Sequence, residues 1–412
     1  MRLPRIFSTA LLAVFALAGC MVSDTRPLAK VDAVQAKTQI AEAELLDIAI
    51  HEFDPGIPVA IADDTEALDK KRIYPEVRKA ETRLLATRLK STLESSGQWG
   101  AVRVVPASVK FVDVIVNGRI VDSTGVHLAL EIEAIDAAGR TWLAKKTYSG
   151  DADVGTYKTD AALRARDPFQ NVYAQIANDL VAARDKLDAA QRSELRQVAR
   201  LRFARDLAPQ AFAGYLTKGA DGLTHLARLP AADDPAVARI DKIRERDTAL
   251  IDTIDGYNAG FSEKLFDSYG GFRRTSRDAI DREEKTKSQA RTRTVLGAAA
   301  VLAGIFAKAN CSPTDYACQR LESAARTAAA VGGVAAVMSG IKKYSDAKVA
   351  AQEVKELANS FQNEATAQVV EVEGRTLKLT GTAEERYREW RKLLAGIYQE
   401  ETSGTAGATI NP

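Results

Sequence analysis

The chain has 412 residues, of which 46% are hydrophobic and 27% charged, and this is enough apolar sequence for two or three buried cores. It carries 57 basic and 55 acidic residues, and two of the basic ones, Arg2 and Arg5, lie within residues 1–19. Without that segment each sign counts 55. A balanced chain argues against a nucleic-acid-binding protein, because such binding requires a basic surface.

The beginning of the chain has the pattern of a bacterial export signal. The two arginines precede an apolar run, residues 6–17, that is too short to span a bilayer. The run ends in Leu17-Ala18-Gly19-Cys20, which resembles the lipobox of bacterial lipoproteins, and the alternative is an ordinary signal peptide that ends in cysteine. The resemblance implies cleavage before Cys20 and attachment of diacylglycerol and a further acyl chain, such as palmitate, to that residue. Several acyl chains anchor a protein stably in a membrane.

The residues after Cys20 bear on location. No aspartate follows the cysteine directly, and resemblance to enterobacterial lipoproteins then implies a periplasm-facing position on the outer membrane, with the inner membrane as the alternative. In an oxidising periplasm the two other cysteines, Cys311 and Cys318, are expected to form a structural disulfide. A metal site would need more ligands than these, and the three histidines are far apart. We therefore expect no metal and no cofactor.

A polar tether, residues 20–44, is predicted to lead into an α/β module at residues 45–188. Alternating apolar residues predict strands, and helical periodicity predicts helices, one of them opened by Pro168 with Asp167 as its cap. Ala138-Gly139 predicts the turn of a hairpin. The strands are expected at 45–53, 101–105, 111–121, 126–136 and 141–149, and the helices at 74–94 and from 168. This order predicts a mixed sheet with two helices on one face.

The same module resembles a domain shared by curli-secretion lipoproteins, penicillin-binding-protein activator lipoproteins and the auxiliary lipoproteins of lipid-transport systems. The resemblance covers residues 45–187. It is carried by Ile48-Ala49-Ile50-His51-Glu52-Phe53, Leu93-Glu94-Ser95-Ser96-Gly97, Val102-Arg103-Val104-Val105-Pro106 and Asp113-Val114-Ile115-Val116-Asn117-Gly118-Arg119-Ile120. It implies binding of an envelope protein partner through the sheet edge or the helix-lined face. It does not imply a pore, because a second set of barrel-forming strands is missing.

Residues 189–290 are predicted to be a helical domain, so that the fold class of the whole chain is α+β. Helices are expected at 190–204, 209–227 and 235–266, with a break at Gly270-Gly271 before a charged helix at 273–293. Five aromatic residues fall within a few turns: Tyr257, Phe261, Phe266, Tyr269 and Phe272. We interpret them as core packing, and the alternative is a ligand-facing surface.

Residues 291–345 are predicted to form a helical hairpin rich in small residues. Its arms, 295–307 and 324–341, place small side chains at four-residue spacing, which lets two helices approach closely, and the disulfide would lie between them. The helix-packing residues are Gly297, Ala300, Gly304, Ala328, Gly332, Ala336 and Gly340. We favour a buried hairpin, with membrane insertion or homo-oligomer formation as the alternative. Residues 346–402 should contain a helix, a β-hairpin and a final helix, and residues 403–412 a disordered tail.

No motif for a nucleophile, a phosphate or a catalytic metal is found, so we expect no catalytic residues and no enzyme. The acidic pairs Glu52/Asp54 and Asp63/Asp64 are interpreted as caps and solvated loops. The sequence predicts a non-catalytic, lipid-anchored envelope protein that binds a periplasmic or outer-membrane partner and supports assembly or transport. The alternative is an oligomeric or membrane-active secretion component that uses residues 295–341.

Overall fold

A computed structural model of the protein describes residues 29–231, 233–306, 369–372, 375–378 and 383–406. Within these residues the chain is mixed α/β, with a five-stranded mixed sheet on the amino-terminal side of a helical region. The predicted fold class is confirmed.

The sheet contains five strands in the order β2-β1-β3-β4-β5. They are β1 (Ile48–His51), β2 (Val102–Val105), β3 (Val114–Ser123), β4 (His127–Asp136) and β5 (Thr141–Asp151). Strand β1 is parallel to β2 and β3, and β3, β4 and β5 are antiparallel. All five predicted strands are found, with bounds that shift by at most three residues. Gly139 turns the β4–β5 hairpin with a φ of +96°, which glycine adopts without strain.

The helices follow one another in chain order around this sheet. They are α1 (Thr65–Lys70), α2 (Pro75–Ser95), α3 (Asp160–Ala165), α4 (Gln170–Arg184), α5 (Ala189–Leu207), α6 (Pro209–Phe212), α7 (Pro235–Lys264), α8 (Phe266–Phe306) and α9 (Ala383–Ala406). Short turns of 3-10 helix lie at Glu42–Glu44, Val59–Ile61 and Val154–Lys158. Two small hairpins add β6 (Leu216–Lys218) with β7 (Thr224–Leu226), and β8 (Val369–Val372) with β9 (Arg375–Lys378).

Strand β1 is buried on both faces because helices cover it from two sides. Ile48 and Ile50 share a buried cluster with Leu89 of α2 and Ile176 of α4. Ala49 points the other way and packs with buried residues of β2, α7 and α9: Val105, Leu250, Ile254 and Tyr387. Each large apolar side chain buried in this way contributes about 1.5–3 kcal/mol. The main core also continues into α5, α7 and α9 through Val198, Ile240 and Leu394, so helical residues beyond 188 share one core with the sheet.

Three sequence predictions about where helices end or break are wrong. The helix predicted at 209–227 stops at Phe212 and gives way to the β6–β7 hairpin, where Gly222 has a φ of +77° that a helix does not accept. The predicted break at Gly270-Gly271 is absent, since α8 passes through it and the missing side chain at Gly270 makes room for Leu163. Helix α9 continues through Ala406, four residues into the predicted tail.

Asp167 does not cap α4. The residue preceding that helix, Phe169, has no side-chain cap of its own, and the Asp167 carboxylate instead accepts a hydrogen bond from the Phe169 backbone N–H at 2.9 Å. Asp167 is also paired with Arg273 at 3.1 Å. Its charge therefore joins the start of α4 to α8.

Candidate functional site

Most of the residues singled out in the sequence lie outside the described part of the chain. These are Cys20, Cys311, Cys318, Ala328, Gly332, Ala336 and Gly340, together with the predicted helix before β8. The backbone of Gly297, Ala300 and Gly304 is helical and belongs to the last part of α8. The first small-residue stretch is therefore the end of a 41-residue helix whose beginning is packed on the sheet-bearing part of the molecule.

The aromatic cluster of α7 and α8 is core, as predicted. Phe261, Tyr269 and Phe272 are buried together with Leu84 and other apolar residues of α2. Tyr269 and Phe272 are stacked with ring centroids 6.3 Å apart. No ligand-facing aromatic surface is formed by these rings.

The acidic pairs have local structural roles. Asp64 caps α1 by accepting a hydrogen bond from the Ala67 N–H at 2.9 Å, and Asp54 accepts one from the Gly56 N–H at 2.6 Å. Glu52 lies deeper, and burial raises the pKa of its carboxyl above the ordinary value. The interpretation of these pairs as caps and turns is confirmed for Asp54 and Asp64.

A charged cavity lies between the sheet and the helices α5, α7 and α9, and nothing in the sequence pattern predicted it. Its volume is about 50 Å³, which is room for about three or four water molecules. The polar residues around it are Asp47, Arg103, Asp113, Arg244, Asp247, Thr248 and Tyr387. They come from distant parts of the chain, so only the folded arrangement brings them together.

Two carboxylates of this cavity hold the amino ends of neighbouring parallel strands. Asp47 directly precedes β1 and accepts a hydrogen bond from the Ala101 N–H at 2.8 Å. Asp113 directly precedes β3 and accepts one from the Asp47 N–H, also at 2.8 Å. Arg196 of α5 approaches Asp113 at 3.8 Å. The Asp47 side chain therefore links the start of β1 to the start of β2, and the Asp113 side chain links the start of β3 to the start of β1.

Burial shifts the pKa values of three side chains around the cavity. Burial raises the pKa of Asp113 to about 6, and the hydrogen bond from the Asp47 backbone N–H opposes part of this rise. Burial likewise raises the pKa of Asp247, although the Arg391 guanidinium opposes it. The Tyr387 hydroxyl donates a hydrogen bond to Asp247 at 3.0 Å, and burial raises the pKa of that tyrosine. These contacts attach α9 to α7.

A second buried polar network joins α8 to the sheet and α2. Arg273 is buried, is paired with Asp167 and lies over the Tyr269 ring, 4.3 Å from its centroid. Glu81 of α2 accepts hydrogen bonds from the Tyr269 hydroxyl at 2.7 Å and the Ser123 hydroxyl at 2.6 Å. The network ties α8 to the β3–β4 hairpin, where a side chain at Gly125 would meet the Arg273 carbonyl oxygen at 2.2 Å.

The two edge strands of the sheet, β2 and β5, differ in whether their outer backbone groups have hydrogen-bond partners. The β2 edge is closed by α7, because Asp255 accepts a hydrogen bond from the Val104 N–H at 2.7 Å and Asn258 donates one to the Val104 carbonyl at 3.2 Å. These side chains occupy the backbone groups that another strand would use. In the described residues, no strand pairs with the outer side of β5, and seven of its eleven residues are exposed.

The β5 edge has a bulge and a basic border. Residues 146–151 pair with β4 in unbroken register, and the register shifts before Lys146, next to Lys145 with its φ of +45°. Two open depressions line the groove between β5 and α4. Lys186 lines this groove, and Lys145 lies between two residues that line it, Ala144 and Lys146. Neither Lys145 nor Lys186 has an ion pair within the described residues. Within the part of the chain that the structure describes, the β5 edge thus has backbone groups without a strand partner beside two lysines without an ion pair.

The first described residues are held against α4. Residues 29–36, which we name the strap, run along the helix, and Asn171 and Asn178 bind their backbone. Asn171 accepts from the Val31 N–H at 3.0 Å and donates to the Ala29 carbonyl at 2.9 Å. Asn178 accepts from the Val34 N–H at 2.8 Å and donates to the Asp32 carbonyl at 3.0 Å. The second part of the predicted tether is therefore ordered.

The described residues hold neither a metal cluster nor a membrane span. Among them, no group of three or more His, Cys, Asp or Glu side chains is placed to hold a metal ion. In the same part of the chain, none of the helices combines the length and the apolar character that crossing a membrane requires. Comparison of the chain with protein-family models, with curated proteins and with solved structures finds no match.

Proposed function

We propose that this protein is a non-catalytic lipoprotein of the bacterial envelope, anchored through Cys20 to the periplasmic side of the outer membrane. In this proposal it binds a partner protein and supports assembly or transport. The observation that carries the proposal is the contrast between the two sheet edges. The β2 edge is closed by Asp255 and Asn258, whereas β5 presents an eleven-residue edge beside the groove of α4.

The occupant of the β5 edge that fits best is an extended, acidic segment of another protein. A strand added to an exposed edge gains affinity from backbone hydrogen bonds and specificity from side-chain pockets. Lys145 and Lys186 supply positive charge without a counter-ion in the described residues, and carboxylates of the partner would complete them.

A second copy of this chain fits the β5 edge less well. Lys146 is the central residue of Thr141–Asp151, so an antiparallel pair of two β5 strands would bring Lys145 and Lys146 of each copy together. Like charges directly opposite one another destabilise a strand pair. The lysines and the bulge thus disfavour self-pairing while leaving the edge open to an acidic partner.

The charged cavity supports the non-catalytic part of the proposal. Its volume of about 50 Å³ accommodates a few water molecules and no organic substrate. Asp47 and Asp113 bind backbone N–H groups of the sheet, and Asp247 binds the Tyr387 hydroxyl. Each of these three carboxylates therefore accepts a hydrogen bond that holds a strand or a helix in place.

The anchor is tested by metabolic labelling with an alkyne-bearing fatty acid. We expect the wild-type protein to be labelled and to fractionate with outer membranes, and the Cys20→Ser protein to lose the label. Equal labelling of both proteins would contradict attachment at Cys20. An unlabelled wild-type protein would contradict the lipoprotein proposal as a whole.

The docking edge is tested by crosslinking in cells with a photoreactive residue placed at Thr147 or Ser149, and at Lys218 as a position away from the edge. We expect crosslinks to an envelope protein from the two β5 positions and none from Lys218. Reversal of the basic border, Lys145→Glu with Lys186→Glu, should lower the yield at least about fivefold. The charge-matched double change Lys242→Glu with Lys264→Glu on α7 should leave it unchanged, and equal yields in both variants would refute docking by charge and edge.

A further inference from the structure

The strap lies on α4 in a regular register that follows from helix and strand dimensions. Asn171 and Asn178 are seven residues apart, which is two helical turns and about 10.5 Å along the axis. The strap groups that they bind are three residues apart: the N–H groups of Val31 and Val34. Three residues of extended chain also span about 10 Å. The side-chain amide of Asn178 can therefore make the same two hydrogen bonds to the strap backbone as that of Asn171, three strap residues further along.

The contact is made mainly to the strap backbone, and Arg166 adds a hydrogen bond to the Val31 carbonyl at 3.4 Å and an ion pair with the exposed Asp32, also at 3.4 Å. An exposed ion pair of this kind contributes little. The Gln98 side chain donates to the Val34 carbonyl at 3.2 Å, and the Ala36 N–H donates to the Ser96 carbonyl at 2.8 Å. The side chain of Val34 is 48% exposed, so the strap itself contributes little buried apolar surface. Its attachment depends mainly on a few partly exposed hydrogen bonds.

The bound and released states of the strap are therefore close in free energy. The net gain from a handful of solvent-accessible hydrogen bonds is of the same order as the entropy lost when eight residues are ordered. By contrast, the ion pair at the next attachment point further along the chain is less exposed than the pair between Arg166 and Asp32. Arg192 is paired with Glu44 at 2.5 Å, and Arg196 donates to the Glu42 carbonyl. The strap can thus detach while residues 42–44 stay in place.

We propose that Asn171 and Asn178 are a clamp that sets how far the anchored protein reaches from the membrane. This inference rests on lipidation of Cys20, which belongs to the proposed function above. With the strap bound, nine residues separate Cys20 from Ala29, and at about 3.4 Å per residue they span at most about 30 Å. With the strap released, twenty-two residues separate Cys20 from Glu42, and the limit becomes about 75 Å.

The clamp is tested first by hydrogen exchange of the full chain in detergent, read on peptides that cover residues 29–36. The variant Asn171→Ala/Asn178→Ala should exchange at least about tenfold faster there than the wild type, because it loses four hydrogen bonds. Gln175→Ala is the matched control, since Gln175 is exposed on the same helix between the two asparagines and makes no hydrogen bond to the strap. Unchanged exchange in the double variant would overturn the clamp.

Reach is tested by energy transfer in vesicles of phosphatidylethanolamine and phosphatidylglycerol that carry the lipidated protein. The donor dye is attached to an unnatural amino acid at Ala182, which is exposed on α4, and the acceptor is a headgroup-labelled lipid. With a dye pair whose transfer distance lies between the two reaches, transfer should fall by at least half in the double variant and stay at the wild-type value in Gln175→Ala.

The two measurements separate failure of this inference from failure of the proposed function. Equal transfer in the lipidated wild type and the lipidated double variant would overturn the reach proposal and leave the lipoprotein proposal intact. A wild-type protein that carries no acyl chain would overturn both the lipoprotein proposal and the reach proposal, while the exchange data would still show whether the clamp exists.

Discussion

Replacing Asp113 by asparagine should make the protein more stable at neutral pH. The Asp113 carboxyl is buried, and burial raises its pKa from 3.8 to about 6. An acid with a raised pKa binds its proton more tightly in the folded chain than in the unfolded chain. Its contribution to the free energy of unfolding is therefore complete below about pH 4 and is lost as the pH rises through about 6.

The size of this loss follows from the two pKa values. A change of one pKa unit corresponds to about 1.4 kcal/mol, so the rise from 3.8 to about 6 costs wild-type Asp113 about 3 kcal/mol above pH 7. The amide introduced by Asp113→Asn would keep an oxygen to accept the hydrogen bond that the Asp47 N–H now gives to Asp113. The substitution thus removes the buried charge and preserves the contact to the strand.

The assay is urea unfolding of the two proteins in a Cys20→Ser background between pH 4 and pH 8. The free energy of unfolding of Asp113→Asn should equal the wild-type value near pH 4 and exceed it by about 1–3 kcal/mol near pH 7.5. A variant that is less stable than the wild type at pH 7.5 but equal to it at pH 4 would refute the reasoning. That result would mean that Arg196 and Arg244 stabilise an ionised Asp113 by more than burial costs.

Three further predictions concern packing and the anchor. Gly125→Ala should lower the free energy of unfolding by about 1–3 kcal/mol, because the added methyl meets the Arg273 carbonyl oxygen at 2.2 Å. Gly256→Ala should raise the free energy of unfolding by about 1 kcal/mol, because Gly256 lies inside α7 with open space around it. Thermal melts check the sign of both changes. Tyr387→Phe should cost about 1–3 kcal/mol in the same melts, since a buried carboxylate loses its hydroxyl donor. The Cys20→Ser protein should be extracted without detergent and sediment as a monomer, and an oligomer or a detergent requirement would favour the alternative that the small-residue hairpin assembles or inserts.

Local patterns predicted the sheet well because each strand is encoded by its own residues. The alternation of Leu128, Leu130 and Ile132 gave β4, and the turn at Gly139 gave the hairpin with β5. The same approach failed for residues 209–227, where apolar residues at helical spacing were outweighed by the glycine turn at Gly222. Helical spacing of apolar residues therefore predicts a helix only where no residue adopts a backbone conformation that a helix excludes.

The candidate sites were out of reach of the sequence because they are built from distant residues. Asp47 and Tyr387 line one cavity although 340 positions separate them, and no periodicity connects them. The clamp left a weak local signal, since Asn171 and Asn178 lie seven residues apart on one flank of α4. That spacing gains meaning only when the strap is known to lie beside it.

Helix α4 contacts both the strap and strand β5. One flank binds the strap through Asn178, and the next residue, Asp179, accepts hydrogen bonds from Lys146 and Tyr148 of β5. A helix is about 10 Å wide, so a segment added to β5 would lie within about 20 Å of the strap. If both proposals hold, a partner near the membrane can be bound with the strap in place, whereas a partner deeper in the periplasm requires its release. The variant Asn171→Ala/Asn178→Ala should therefore gain crosslinks from Thr147 to partners distant from the membrane. An unchanged set of partners would show that docking does not depend on the reach set by the strap.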